Sequence, residues 1–403
     1  MRYCLAEVEL TQPAPSINLQ QDTRGIGILV RLHDRPVAFF LLKTSGLLTS
    51  DRLSQLVREN AGVEITAELL RRELVPAVPD EAFPSLTVAI CTRNKPDLVK
   101  RAIHSLVGAA RLAGARAGFE ILIVDNAPSN DRTRAVADLL GVRYVCEAKP
   151  GLDFARNRAI CEAKGELLAF VDDDAVVDRG WLRGLRKAWA ENPDAAAFTG
   201  PVIAYELETS AQVLFESRGG FGHLFQPKRF GPECKDIRNY PCNAGVFGVG
   251  CNMAFQRRVL LQLDGFDDAL DTGAPLPGGG DLDILYRVLR AGFTLVQEPQ
   301  LLIRHQHRRE HWQLRHQMYT WGLGMMAYAV KNYRCDVMYR AQFRCMILGW
   351  FREMARMLVT TVLRKRDWHI DLAWAELRGG IVGLCGEYGR SKHRIEEIRK
   401  RFA

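Results

Sequence analysis

The stretch that most constrains the fold is Glu166 to Leu182, ELLAFVDDDAVVDRGWL, which sets three carboxylates at the end of an apolar run. Leu167 to Val171 reads as a strand buried on both faces, the pattern of a parallel sheet in an α/β domain. Asp172, Asp173 and Asp174 then fall at the carboxyl end of that strand, where open α/β sheets bind their ligands. Adjacent carboxylates repel one another and lose solvation when partly buried, so the arrangement calls for a cation or a set of hydrogen-bond donors. A hard divalent ion, Mg²⁺ or Mn²⁺, fits oxygen ligands and is commonly shared with substrate phosphates. The alternative is a solvated acidic turn capping the next helix, but such a turn needs no apolar strand feeding it.

The 403 residues suffice for one large domain with appendages or for two to three ordinary ones. Hydrophobic content of 47% and charged content of 25% match a globular chain and argue against intrinsic disorder. The net charge of +8 is carried by the last hundred residues, where Lys and Arg outnumber Asp and Glu about two to one. Such a segment suits nucleic acid, an anionic membrane or an acidic substrate, and charge alone does not choose among them. The 10 cysteines include no CxxC pair; Cys234, Cys242 and Cys251 read as buried free thiols rather than a zinc site, in keeping with a reducing cytosol. MRYCLAEVEL lacks the basic and apolar regions of a signal peptide, and no stretch reaches the ~18 apolar residues of a membrane span. A cytoplasmic location is expected.

Residues 1–84 read as a small α+β unit. Gly27 to Leu32 and Val37 to Leu42 form a hairpin across His33-Asp34-Arg35-Pro36, and a helix starts at Ser50 or Asp51 with Leu53, Leu56 and Val57 inward. A second short helix is expected from Thr66 to Glu73, then a linker at Pro76 and Pro79. From Ser85 strands alternate with helices: Leu86 to Cys91, a helix from Pro96 or Asp97 with Leu98, Ile103 and Leu106 inward, Glu120 to Val124, Tyr144 to Val145, then KPGLDFARNRAICEAKG before the DDD strand. This β-α-β-α-β order predicts a mostly parallel, Rossmann-like sheet flanked by helices. Trp181 and Trp189 are expected to pack the helix after the DDD turn. Residues 308–403 read as amphipathic helices rich in Met, Trp, Tyr, Phe and Arg. They either pack on the preceding domain or lie against an anionic membrane surface.

No GxxxxGK[ST] loop occurs, and no glycine fingerprint joins the first strand to its helix, so hydride transfer is disfavoured. LTVAICTRN, IVDNAPSND, KPGLDFARNRA, AFVDDDAVVD, GVGCNMAFQRRVLLQLDGFDD and GGGDLDILYRVLRAG, in that order, resemble the inverting family 2 glycosyltransferases of the GT-A fold, over roughly Ser85 to His307. The resemblance implies a GT-A catalytic domain at 85–307 that binds a nucleotide-sugar, with a UDP-sugar the expected donor. It implies that Thr92, Arg93 and Asp125 line the base pocket and that Gly151, Arg156 and Asn157 flank base and ribose. Asp172 and Asp174 match a metal-binding DxD, Asp172 nearer the ribose and Asp174 on Mn²⁺ or Mg²⁺. Asp173 is grouped with the donor positions, the alternative being a spectator facing away. His305 matches a position that approaches the metal or diphosphate.

The family's acid motif is Glu-Asp with another acid two residues on, and here glycine stands first: Gly280-Asp281-Leu282-Asp283. Asp281 is the expected general base, with Asp283 in reserve and a plain helix cap as the structural alternative. The preceding ALDTGAPLPGGG reads as a loop able to close over the acceptor. The acceptor is a glycan, a lipid-linked sugar or a small molecule; nucleic acid is not expected, and peripheral contact with the inner face of the cell membrane is. Two other classes fit parts of the pattern: a catalytically silent sugar-nucleotide or membrane-surface binding protein on the same fold, and a nucleotidyltransferase.

Overall fold

The computed structural model describes residues 2–402 apart from 76–82, 115–118, 223, 235, 236, 271, 272, 274 and 365–368, and for 362–364 the backbone only. The expected linker at Pro76 and Pro79 therefore lies outside the described residues.

β1 (Arg2–Glu9), β2 (Thr23–Leu32) and β3 (Arg35–Lys43) form a sheet in the order β1-β2-β3, with β1 parallel and β3 antiparallel to β2. The hairpin turns at His33 and Asp34, both at positive φ (49° and 66°), the twist that a two-residue hairpin demands. β1 was not expected, because RYCLAEVE is only half-buried and lacks clean alternation. One continuous helix, α1 (Ser50–Leu74), replaces the two expected ones: no Pro or helix-ending Gly interrupts it before Val75. Ile26, Ile28 and Val30 pack with Leu53, Leu56, Val57 and Ala61 of α1, while Leu29 on the opposite face packs with Ile203 and Leu302.

The central sheet uses β4 (Leu86–Thr92), β5 (Glu120–Asn126), β6 (Arg143–Glu147), β7 (Leu167–Val171), β9 (Ala195–Thr199), β11 (Lys228–Phe230), β12 (Asn252–Gln256) and β13 (Thr294–Gln297). Its order is β11-β13-β9-β12-β7-β4-β5-β6. β4, β5, β6 and β7 run parallel and β9 pairs parallel with β13, whereas β12 is antiparallel to both its neighbours. This is the mixed, mostly parallel α/β sheet that the alternating sequence pattern implies. Every residue of β7 is buried, with Leu168 and Phe170 in one core and Leu167, Ala169 and Val171 in the other. The first core takes α4 (Leu152–Glu162), α7 (Arg257–Gln262) and α8 (Gly280–Arg290), and the second takes α2 (Pro96–Leu112), α3 (Arg132–Leu140) and α5 (Trp181–Glu191). In α2 it is Val99 that is fully buried, and Leu98, expected inward, is only half-buried. Trp181 is 1% exposed and Trp189 packs against Phe198, as expected.

The chain runs from β4 outward through β5 and β6, then returns to place β7 on the other side of β4. That reversal opens a crevice at the carboxyl ends of β4 and β7. A small sheet beside it, in the order β8-β14-β10, is made of β8 (Ala175–Val177), β10 (Val202–Ala204) and β14 (Ile303–His305).

Beyond α6 (Ser210–Ser217) and the sheets come α9 (His311–Cys335), α10 (Arg340–Arg364), α11 (Ile370–Val382) and α12 (Tyr388–Arg401). α9 and α11 meet backbone to backbone: a side chain at Gly322 would overlap the carbonyl of Glu376, and one at Gly379 the carbonyl of Tyr319. Met326, Tyr328 and Met354 are buried, so part of the C-terminal aromatic and methionine set is core. No helix among the described residues is long and apolar enough to cross a membrane.

A buried ion cluster ties the first sheet to the small one. Arg31, 0% exposed, donates to Glu7 (2.8 Å) and to both carboxylate oxygens of Asp178, one residue past β8. Glu7 also pairs with Arg304 in the middle of β14, and Arg35 pairs with Glu298 (2.6 Å). Buried ions add little net stability when paired, but a stranded one is costly, so each partner is required once the other is in place. Asp178→Asn should therefore lower the unfolding free energy by about 3 kcal/mol. Urea unfolding of both proteins measures this, and an unchanged midpoint would show that Glu7 alone neutralises Arg31.

Candidate active site

A cavity of about 700 Å³ opens at the carboxyl end of β7, and Arg156, Asp172, Asp281 and His305 all line it. The three aspartates after β7 meet three different fates. Asp173 accepts from the Thr92 hydroxyl (2.8 Å) and the Lys95 ammonium (2.8 Å), turned back toward the loop after β4. Asp174 lies 3.1 Å from His305 Nε2, because β8 and β14 pair antiparallel with Ala175 opposite His305. Asp172 faces the cavity.

These fates set the protonation of each carboxyl. Burial pushes Asp172 up to about 6, with the charges of Asp174 and Asp173 adding to the rise and Arg156 opposing it. Burial also raises Asp173 despite Lys95. In Asp174 burial works in the same direction, but His305, Lys95 and Arg308 outweigh it and hold the carboxyl well below the usual range. Ligand atoms of Asp172, Asp174 and His305 all lie within 4.8 Å of one another. Two carboxylate oxygens and one imidazole nitrogen, with one carboxyl raised chiefly by burial and further by its acidic neighbours, form a donor set that fits Mn²⁺ or Mg²⁺.

Arg156 sits among the cavity's acids. It donates to Asp153 (3.0 Å), lies over the Phe266 ring at 5.2 Å, and is held charged by Asp153, Asp172 and Asp281 against the cost of its burial. Asp281 opens α8; its Oδ2 accepts from the Gly250 amide (2.9 Å) and its Oδ1 from the Leu282 amide (2.9 Å). Gly250 is required for this approach, since a Cβ there would lie 2.7 Å from Arg156 Nη2 and 3.1 Å from Asp281 Cβ. The N-cap of α8 is Gly279, with no side-chain cap bond, so Asp281 is not the helix cap that the structural alternative supposed; it lies in the first turn, each of its oxygens keeping a lone pair for an incoming hydroxyl.

Other expected positions are placed around this centre rather than in it. Thr92 and Asp125 are paired in register at the ends of β4 and β5, and Arg93 is exposed on the loop that follows. Asp125 is fully buried and accepts from the Tyr144 hydroxyl (3.1 Å), while its Oδ1 has no hydrogen-bond partner among the described residues. That orphan acceptor fits an N–H or hydroxyl donor of a bound ligand. Gly151, at φ 147°, caps α4 and donates to Asn126 Oδ1 (2.8 Å). Asn157 exchanges two hydrogen bonds with the backbone of Phe266, which makes it a structural clamp on the 264–266 turn.

Asp283 is turned away from the cavity: it is 0% exposed and bound by Lys331 (2.7 Å), Arg287 (2.7 Å) and Asn332 (2.9 Å). As the reserve base it has no path to an acceptor. The glycine at 280 also has a physical reason, since any side chain there would overlap the Asp153 carboxylate. Asp153 and Arg308 on the cavity wall, with Trp312, Trp321, Trp350 and Glu376 from the helices, were not expected there. Asp153 could have been suspected from its i, i+3 spacing to Arg156; the helical residues carry no local signal. Residues 271, 272 and 274 of the expected closing loop lie outside the described residues, and Pro277 to Gly280 line the cavity.

Residues 87–263, a little under half of the chain, match the sequence model described as Glycosyl transferase family 2. The succinoglycan biosynthesis protein ExoM of Rhizobium meliloti is 28% identical over 229 residues, covering 55% of this chain and 67% of that protein. The pre-mycofactocin glycosyltransferase of Mycobacterium tuberculosis is 24% identical over 274 residues, 65% of this chain and 51% of that one. The chain thus spans about two thirds and about half of the lengths of these relatives. Among solved structures, mannosyltransferase PcManGT from Pyrobaculum calidifontis, in complex with GDP-Man and Mn²⁺, superimposes with a TM-score of 0.49 at 14% identity, covering 80% of this chain and 93% of that one. The matched segment carries Thr92, Asp125, Arg156 and the three aspartates, while Asp281 and His305 lie beyond it.

An acid whose pKa is higher folded than unfolded favours folding at low pH, and that advantage is lost as pH rises from its ordinary 3.8 through about 6. Asp172→Asn should therefore stabilise the metal-free protein at pH 7 by on the order of 2 kcal/mol, with the gain vanishing near pH 4. Chemical unfolding of both proteins at the two pH values reads this, and a destabilised variant at pH 7 would contradict it.

Proposed function

We propose that this chain is an inverting glycosyltransferase that moves a hexosyl group from a nucleotide-sugar, a UDP-sugar being the expected donor, to an acceptor hydroxyl. The observation that carries the reading is the grouping of Asp172, Asp174 and His305 ligand atoms within 4.8 Å, beside a cavity that also holds Asp281. The match of residues 87–263 to glycosyl transferase family 2 supports glycosyl transfer as the chemistry.

In this reading the base and ribose lie along the ends of β4 and β5, with the orphan oxygen of Asp125 accepting from the base. Asp172, Asp174 and His305 hold Mn²⁺ or Mg²⁺, which supplies positive charge toward the diphosphate when bound. Arg156 keeps the cavity acids in place, and Arg308, 4.0 Å from Asp174 Oδ2, offers a second cation to a phosphate oxygen. Asp281 takes the proton of the acceptor hydroxyl. The freed oxygen bonds to the anomeric carbon on the face opposite the diphosphate, the bond from that carbon to the phosphate oxygen breaks, and configuration inverts. The nucleoside diphosphate leaves with the bonding electrons.

Two substitutions test the assignments. Asp174→Ala should abolish Mn²⁺-dependent nucleotide binding, read by calorimetry with UDP and GDP. Asp281→Asn should keep nucleotide binding while lowering transfer at least ~10²-fold, the scale of general base catalysis. The assay is nucleoside diphosphate release from a panel of UDP- and GDP-sugars with and without acceptors. A wild-type protein that showed no release and no nucleotide binding would remove the enzyme reading. Equal transfer by Asp281→Asn would move the base elsewhere.

A further inference from the structure

About a third of the cavity lining comes from the C-terminal helices, which the donor chemistry leaves unused. On α9, Trp312, Gln313, His316, Gln317, Thr320 and Trp321 all line it, spaced at i, i+3 and i+4 so that they form one stripe. The opposite stripe, with Leu314 and Met318, is buried against α10 and α11. The cavity-facing stripe alternates aromatic rings with amides, an imidazole and a hydroxyl. Trp312 is 68% and Trp321 39% exposed, large apolar surfaces left to water in a concave site.

Their positions are fixed by neighbours. Trp321 stands edge-on to Phe215 (5.5 Å) and tilted against Phe221 (5.6 Å), and Phe221 in turn contacts the His305 ring (4.9 Å). One ring therefore separates the tryptophan from the imidazole of the metal cluster. Trp350 of α10 is wedged against Gly380 of α11, where any Cβ would overlap its ring. One turn before Gly380, the half-buried Glu376 lines the same cavity. Burial raises that carboxyl to about 7, with Arg218 opposing the rise.

An acyl chain or simple alcohol would cover the rings but take water from the half-buried Glu376 and Gln317 without replacing its hydrogen bonds, each at a cost of about 1–3 kcal/mol. A pyranose satisfies both demands, because its C–H face packs on an aromatic ring while its hydroxyls circle the edge. We propose that the acceptor is a saccharide, its ring packed on Trp321 and Trp312 and its hydroxyls bonded by Glu376 and Gln317. The proposal rests on the glycosyltransferase reading for the word acceptor, but the site itself does not depend on the donor half.

The test uses the full chain and the tryptophan fluorescence of the protein. Methyl glycosides of glucose, galactose, mannose and N-acetylglucosamine, with cellobiose and maltose, are titrated in parallel with decanol and decyl phosphate. Mn²⁺-dependent UDP and GDP binding is measured on the same samples. At least one glycoside should bind with a millimolar Kd, and Trp321→Ala and Glu376→Ala should each weaken it about five- to ten-fold. Trp312→Ala, at an exposed position that folding does not need, should weaken it in the same direction. A wild-type chain that binds nucleotide but no glycoside, glycoside binding indifferent to all three substitutions, or binding of decanol or decyl phosphate instead overturns the saccharide site. Glycoside binding without any nucleotide binding supports the site and overturns the donor reading.

Discussion

Three carboxylates on consecutive residues cannot share one desolvated turn without compensation, and much of this molecule is arranged to supply it. Asp173 is held by the Thr92 hydroxyl at the end of β4 and the Lys95 ammonium on the loop that follows, and Asp174 from β14 by His305. Only Asp172 keeps a carboxyl open to the cavity, with Arg156 as its counter-charge. Each compensating group comes from a different element, so the sheet order, the small β8-β14-β10 sheet and α4 must all be formed before the acids can coexist. Arg156 is itself pinned by Asp153 and packed on Phe266, whose backbone Asn157 holds. A residue expected beside the nucleotide thus acts one step further out, by holding what holds the counter-charge.

The first sheet has no side chain on the cavity, yet it grips the strands that carry the site. Arg31 binds Asp178 at the end of β8, and Glu7 binds Arg304 next to His305. Arg179 and Arg183, following Asp178, reach Asp34 in the hairpin turn. The spacing of Asp174 and His305 depends on these two strands staying in register, and the ion cluster fixes that register from outside. Leu29 packing on Ile203 and Leu302 adds an apolar contact that excludes water from the same junction.

What could be read in the sequence was what is local in it. The fully buried run of β7, the DDD turn, the ends of β4 and β5 and the acid in the first turn of α8 at Asp281 all follow from residues within a few positions of one another. Asp283 misled because its charge is visible in the sequence while its partners, Lys331 and Asn332, arrive from α9 some fifty residues later. Gly280 looked like a departure from the family motif; the space it leaves is filled by Asp153, more than a hundred residues earlier. The helical wall was illegible for the same reason. Trp321, Trp350 and Glu376 lie on three helices, and nothing in their spacing tells that α9, α10 and α11 converge on one cavity. Membrane contact and cavity lining are two uses of the same aromatic stripe, and only the packing of the opposite stripe separates them.

The glycine contacts between α9 and α11 bear on how such a cavity can change over evolutionary time. With Gly322 against the Glu376 carbonyl and Gly379 against that of Tyr319, the two backbones touch and neither helix can rotate or slide without collision. The wall behaves as a rigid plate studded with interchangeable side chains. New ligand preferences are then reached by exchanging residues at the cavity-facing positions 313, 317, 321 and 376, while the plate and the strands that position Asp172, Asp174 and His305 keep their geometry. A lineage can thus retune what it recognises one residue at a time, with each intermediate still folded.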